Sequence, residues 1–167
     1  MPLIAEDGTG LANANSYVTW DIIEVFAEER SWSDWAAATD EAKEVAILDA
    51  TIYLDTSYAW KGSIKLETQA LAWPREGVFD REGRELTGVP QRIKDACCEL
   101  ARMKLTAALV ASRTDGEVQS LTAGSVSITY ARGNRVSEAE KYGWIDRLLT
   151  GLHGGRAGGI NVQLRKA

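Results

Sequence analysis

Between Trp60 and Pro90 the chain is interrupted by Gly62, Pro74, Gly77, Gly83, Gly88 and Pro90. Proline lacks the amide proton that a helix interior needs, and glycine loses the most backbone freedom on ordering. Regular structure is therefore confined to the flanks, and the middle must be held by side chains. Upstream, residues 1–15 are also turn-rich, with Asp7-Gly8-Thr9-Gly10 and Asn13-Ala14-Asn15 as punctuation.

The flanks read as helices. Thr19 can cap a first helix running to about Arg30, with Asp21 in its first turn and Ile22, Ile23 and Phe26 inward. Trp32 and Trp35 fall in a short linking turn. Thr39 caps a second helix whose apolar stripe is Val45, Leu48, Ile52 and Tyr53. Pro90 opens a third, with Ile93, Ala96, Cys97, Leu100, Met103, Ala107 and Val110 as its buried face. Its alanines and cysteines imply close helix–helix approach. Residues 118–122 and 125–130 read as a hairpin turning near Ala123-Gly124. Ser137 and Glu140 form a capping box for a fourth helix bearing Tyr142, Ile145, Leu148, Leu149 and Leu152.

Beyond Leu152 comes His153, then Gly154-Gly155-Arg156-Ala157-Gly158-Gly159, then Ile160, Val162 and Leu164 at period two, ending in Arg165-Lys166-Ala167. A glycine-rich spacer buries little and is expensive to order, whereas period two marks a strand with one covered face. The expectation is a mainly α protein: a four-helix domain over 1–152 with one β-hairpin, and a tether with an extended C-terminal arm over 153–167. Ile160, Val162 and Leu164 would enter a partner's pockets while Arg165 and Lys166 add charge complementarity.

The 167 residues carry a net charge of −5, unevenly spread. Residues 1–60 hold twelve acids and two bases, and residues 61–167 hold seventeen bases and twelve acids. Such polarity suits head-to-tail packing of copies. Overall acidity argues against general duplex-DNA binding, which needs uncompensated cations on one face. No apolar run approaches the roughly 18 residues of a membrane span. The N-terminus lacks the basic and apolar regions of a secretory signal. Cys97 and Cys98 are adjacent and point about 100° apart on a helix, so they read as two core thiols in a reducing compartment.

Catalytic chemistry finds no foothold. His153, the one histidine, reads as a mobile surface residue. The cysteine pair lacks zinc or thioredoxin spacing, and Glu24, Glu28 and Glu29 read as a solvated helix face. Asp80-Arg81-Glu82-Gly83 reads as a tight turn, because a calcium loop would need further ligands. The glycine clusters match no phosphate-binding fingerprint, although Gly8-Thr9-Gly10 is a weak candidate. The six tryptophans raise the idea of a single-strand stacking platform, but their scatter over several elements favours core and interface packing. No enzyme activity, metal or cofactor is expected.

Three stretches carry a family resemblance: Glu6-Asp7-Gly8-Thr9-Gly10-Leu11-Ala12-Asn13-Ala14-Asn15-Ser16-Tyr17-Val18, Gln69-Ala70-Leu71-Ala72-Trp73-Pro74-Arg75-Glu76-Gly77-Val78, and Val89-Pro90-Gln91-Arg92-Ile93-Lys94. Together they resemble the tailed-phage neck adaptors, also called head–tail connector or head-completion proteins. Some relatives carry the label DnaT-like single-stranded DNA-binding protein. The resemblance implies a structural subunit, made in the host cytoplasm, that forms a twelve-membered ring at the virion neck. Its arm would engage the portal protein, its other face would meet a stopper or tail-completion protein, and packaged DNA would pass through without specific binding. The alternative is a single-stranded DNA-binding accessory protein. Trp73, biased toward extended geometry by Pro74, is expected to plug the irregular segment onto the helices. Arg75 is expected to pair with an acid or stack on a ring. Arg132 and Arg135, after the hairpin, are candidates for contact with a channel or a neighbour.

Overall fold

The computed structural model describes residues 2–106, 120–123, 126–129 and 138–156, with side chains at 2–106 and 142–155. The protein is mainly α. Helices α1 (Trp20–Glu29), α2 (Ser33–Ala36) and α3 (Asp40–Ser57) precede three short strands, β1 (Tyr58–Trp60), β2 (Ser63–Ile64) and β3 (Arg75–Glu76). Helix α4 (Gln91–Thr106), the hairpin β4 (Ser120–Ala123) and β5 (Val126–Thr129), helix α5 (Glu138–Leu148) and strand β6 (His153–Arg156) follow.

Capping sets the first helices as their sequences imply. The Thr19 hydroxyl accepts from the Ile22 amide at 3.3 Å, and Thr39 does the same for Ala42 at 3.3 Å. Asp21, Asp40 and Glu41 sit in the first turns, where the helix dipole favours negative charge. The Trp32–Trp35 link tightens into one helical turn, α2, because both indoles are buried and the backbone between them must turn sharply.

Helix α3 packs chiefly against α4, and the small residues Ala46 and Ala50 face Ala96, Cys97 and Ala101 within one buried cluster. This close approach rotates α3 so that Tyr53 is buried as its sequence implies, while Val45 and Ile52 of the same expected stripe are not. Val45 and Ile52 are 54% and 60% exposed, while Ile47, Ala50, Thr51 and Leu54 point inward. Lys43 joins the inner face because its ammonium reaches Glu24 Oε1 at 3.0 Å, which also accepts from the Trp35 indole at 3.0 Å. Glu24 is therefore an inter-helix tie, unlike its exposed neighbours Glu28 and Glu29.

Cys97 and Cys98 are buried free thiols, and burial pushes Cys97 up to about 12 and Cys98 higher still. The hairpin strands pair Ser120 with Thr129 and Ala123 with Val126. On the α5 side, Tyr142, Ile145, Leu149 and Leu152 are buried. The Ser137 cap, Ala107, Val110 and Tyr130 lie outside the described residues.

The largest departure is at the start of the glycine-rich spacer. His153–Arg156 pairs antiparallel with Tyr58–Trp60, so these residues form a strand of the folded body rather than a tether. Aromatic packing supplies the reason. The His153 ring lies 4.9 Å from that of Tyr58 and 6.4 Å from that of Trp60, and the Tyr58 hydroxyl donates to Asp146 at 2.8 Å. His153 is half-buried, not a mobile surface residue: both of its ring nitrogens are shielded and lack a hydrogen-bond partner among the described residues.

Candidate nucleic-acid interface

The three motif stretches converge on one buried knot. Glu6 is 2% exposed, and its carboxylate accepts from the amides of Gly8 at 2.9 Å, Gly10 at 2.8 Å and Leu11 at 2.8 Å. The amides of the weak phosphate candidate Gly8-Thr9-Gly10 are thus already used, those of Gly8 and Gly10 by Glu6 and that of Thr9 by Asp7 at 2.9 Å. The loop is then pinned to the other two motifs. The Ala70 amide donates to the Leu11 carbonyl at 3.0 Å, and Gly8 lies against Gly88, where an added Cβ would meet the Gly88 Cα at 3.1 Å.

Below this loop the Tyr17 hydroxyl donates to Asp55 Oδ1, Asp55 Oδ2 accepts from the Ala72 amide at 3.0 Å, and the Trp73 amide donates to the Tyr17 oxygen at 3.3 Å. Burial raises the Asp55 carboxyl above its ordinary range, opposed by these hydrogen bonds and by the Arg75 charge. Burial and the Asp55 charge together raise Tyr17, so its hydroxyl keeps the proton it donates. Trp73 is fully buried, edge-on to Trp60 with ring centroids 5.8 Å apart. The Trp73–Pro74 bond is cis. Trp73 belongs to the same buried cluster as residues of α1, α3 and α4.

Among the described residues Arg75 forms no ion pair with an acid and stacks on no ring. Its guanidinium donates to the carbonyls of Lys61 at 2.6 Å, Gly62 at 2.7 Å and Ala72 at 3.1 Å. A planar fork satisfies three divergent carbonyls that a single ammonium cannot. Gly62 has φ +69°, and a side chain there would clash with the Glu76 carbonyl, so the β1–β2 connection requires glycine at this position.

This clamp positions a groove. A depression of about 380 Å³ lies between the 79–92 segment and Thr150–Leu152, and Lys61, Phe79, Arg81 and Arg92 are among its lining residues. Val78 is 1% exposed and anchors the segment, so period-two geometry turns Phe79 outward, where it is 55% exposed. Asp80 holds the turn, as its sequence suggests, accepting from the Glu82 amide at 2.8 Å and the Arg84 amide at 2.9 Å, with the Arg84 side chain at 2.8 Å. Those bonds, the Arg84 amide first, hold the Asp80 carboxyl below its usual range. Its charge is therefore already engaged. Lys61 and Arg81 are exposed and make no side-chain hydrogen bond or ion pair among the described residues, while Arg92 reaches the Thr150 carbonyl at 3.4 Å. An exposed ring beside cations that have no internal partner offers a base-stacking surface and phosphate contacts.

Of the residues singled out from sequence, Trp73, Pro74 and Arg75 come together, but as scaffold. Arg132, Arg135, Ile160, Val162, Leu164, Arg165 and Lys166 lie outside the described residues. Sequence reasoning passed over Lys61, Phe79 and Arg81. The one available signal was an aromatic next to alternating charges in a glycine-rich stretch, and that pattern is common in ordinary turns.

Arg75→Lys is expected to destabilise the fold by on the order of 1–3 kcal/mol, because a lysine cannot keep all three charge-assisted bonds to the Lys61, Gly62 and Ala72 carbonyls. Thermal unfolding should show this as a fall in Tm of about 2–12 °C, and a variant melting with the wild type would remove the clamp.

No curated protein and no solved structure matches the chain. Over residues 1–167, its whole length, it matches the model of the family described as "Putative DnaT-like ssDNA binding protein", and it belongs to that family.

Proposed function

We propose that the protein is a non-catalytic DNA-contacting subunit that holds single strands weakly in the groove beside Phe79. The observation that carries this reading is the exposed Phe79 ring next to Lys61 and Arg81, whose charges nothing else in the described structure uses. The family description supports the same reading. Stacking of a base on Phe79 is indifferent to sequence, since every base has a π-face. Three cations neutralise few phosphates, and a net charge of −5 repels the rest of the strand, so contact is weak and strongly salt-dependent.

Fluorescence anisotropy with an oligothymidine at low salt tests this. With three phosphate contacts the log–log salt slope is expected near −2, from about 0.7 per contact. Phe79→Ala should weaken binding about 5- to 150-fold, equivalent to roughly 1–3 kcal/mol per stacked base. Arg81→Ala should lower the slope by roughly 0.7. Binding that is undetectable at low salt, or unmoved by both variants, would reject the groove.

A second reading has its own support. The division of charge, twelve acids to two bases before residue 61 and the reverse tendency after it, suits subunits that pack side by side in a ring. That is the neck-adaptor reading, in which the chain sits beneath a portal protein, receives a stopper or tail protein at the virion neck, and lets packaged DNA pass. Adding purified protein to DNA-filled, tailless phage heads and imaging the portal vertex should reveal a ring of about twelve copies. Vertices that stay bare exclude this role.

A further inference from the structure

Two grooves meet along α1, on the acidic half of the molecule. One, of about 530 Å³, runs between α1 and α2 and is lined by Glu24, Val25, Glu28 and Trp32 among others. The second, of about 380 Å³, is lined by Asp21, Ile22, Val25, Phe26, Glu29 and Gln91. Val25 belongs to both and is 54% exposed, so the two form one trough with an apolar seam at its centre. Its rim is acidic. Glu24 is occupied by Lys43 and Trp35, and Glu29 lies 3.7 Å from Arg30, whose guanidinium covers the Phe26 ring at 3.4 Å. Asp21 and Glu28 have no ion pair among the described residues, and both are exposed. An apolar seam flanked by unpaired carboxylates calls for a ligand with apolar side chains, cations and no acid.

One segment of this chain has that composition. Residues 157–167 contain Ile160, Val162, Leu164, Arg165 and Lys166, and no Asp or Glu. The division of charge, acidic before residue 61 and basic after it, suits supply by a second copy. The Lys61 amide donates to the Leu152 carbonyl at 2.9 Å, and β6 then runs antiparallel to β1 until Arg156 lies opposite Tyr58. Leu152 lines the groove that shares Gln91 with the α1 trough. Strand β6 therefore starts beside that groove at Leu152 and runs from the Trp60 end of β1 to its Tyr58 end.

We propose that the α1 trough of one copy receives residues 157–167 of a second copy. Ile160, Val162 and Leu164 cover the Val25 seam, and Arg165 and Lys166 meet Asp21 and Glu28. The contact is head-to-tail, so it propagates and closes into a ring if the rotation per copy allows. It uses side chains other than Lys61, Phe79 and Arg81 of the neighbouring groove and stands whether or not that groove binds DNA. It also assigns to a neighbouring subunit the arm that the family resemblance sends to a portal.

Two full-length variants test it: Val25→Lys/Glu28→Lys in the trough and Leu164→Asp/Arg165→Glu in the arm, each checked for wild-type circular dichroism. Sedimentation velocity over a concentration series should show salt-sensitive association of the wild type and monomers for each variant alone. The two variants mixed should form a 1:1 complex, one supplying the arm and the other the trough. A labelled synthetic peptide of residues 157–167 should bind the arm variant at least tenfold more tightly than the trough variant. The proposal is overturned if the variants associate as the wild type does, if mixing restores nothing, or if the peptide binds both variants equally or neither.

Discussion

The fold depends on one buried polar contact, the Tyr17–Asp55 hydrogen bond with the Ala72 and Trp73 amides attached to it. A thirty-residue stretch rich in glycine cannot hold itself by helix or sheet hydrogen bonding, and its own backbone groups need partners once they are buried. Asp55 reaches them from the last turn of α3 and Tyr17 from the loop before α1. With that anchor in place, Trp73 enters the core, Arg75 gathers the carbonyls of Lys61, Gly62 and Ala72, and the 78–86 turn is set at the surface. A carboxylate is a costly thing to bury. Here it acts as a double acceptor for two separate chain segments, which an apolar residue of similar size could not do.

The surface consequences follow from this arrangement. The knot engages Glu6, Asp55 and Arg75, while at the surface Phe79 is exposed and Arg81 has no partner among the described residues. Across Gln91 from the Phe79 groove, α1 presents Val25 between Asp21 and Glu28. One face suits a phosphate backbone and the other a basic, apolar peptide. Such a two-faced subunit is what a protein needs if it assembles with copies of itself near DNA, and the two readings of its function differ chiefly in which face matters more.

Local rules made much of the helical framework legible. Thr19 and Thr39 cap helices because their hydroxyls satisfy amides that any helix leaves open, and this requires no knowledge of the tertiary fold. The face of α3 was not legible, because Val45 and Ile52 have the right chemistry for a core but Ala46 and Ala50 allow the closer approach to α4. Glu6 and Glu24 gave no sign of their roles, since a carboxylate that caps a loop or ties two helices looks like any surface acid until its partners are placed. Arg75 illustrates the same limit: its importance could be read, but its carbonyl partners could not. His153–Arg156 misled for a related reason. Glycine signals freedom locally, yet the rings of Tyr58 and Trp60 decide where that stretch lies. Of the candidate interface, Phe79 became meaningful only when Val78 was seen to be anchored.

Amide hydrogen exchange at Ala72 and Trp73, resolved by NMR, tests the anchoring most directly. Both amides sit in an irregular segment, so local structure gives them no protection of its own. If Asp55 and Tyr17 hold the segment to the core, these two should exchange only through global unfolding, as slowly as the central amides of α4. Exchange as fast as that of Glu67 or Thr68, with α4 still protected, would show that the segment opens independently and that the fold does not hang on this contact.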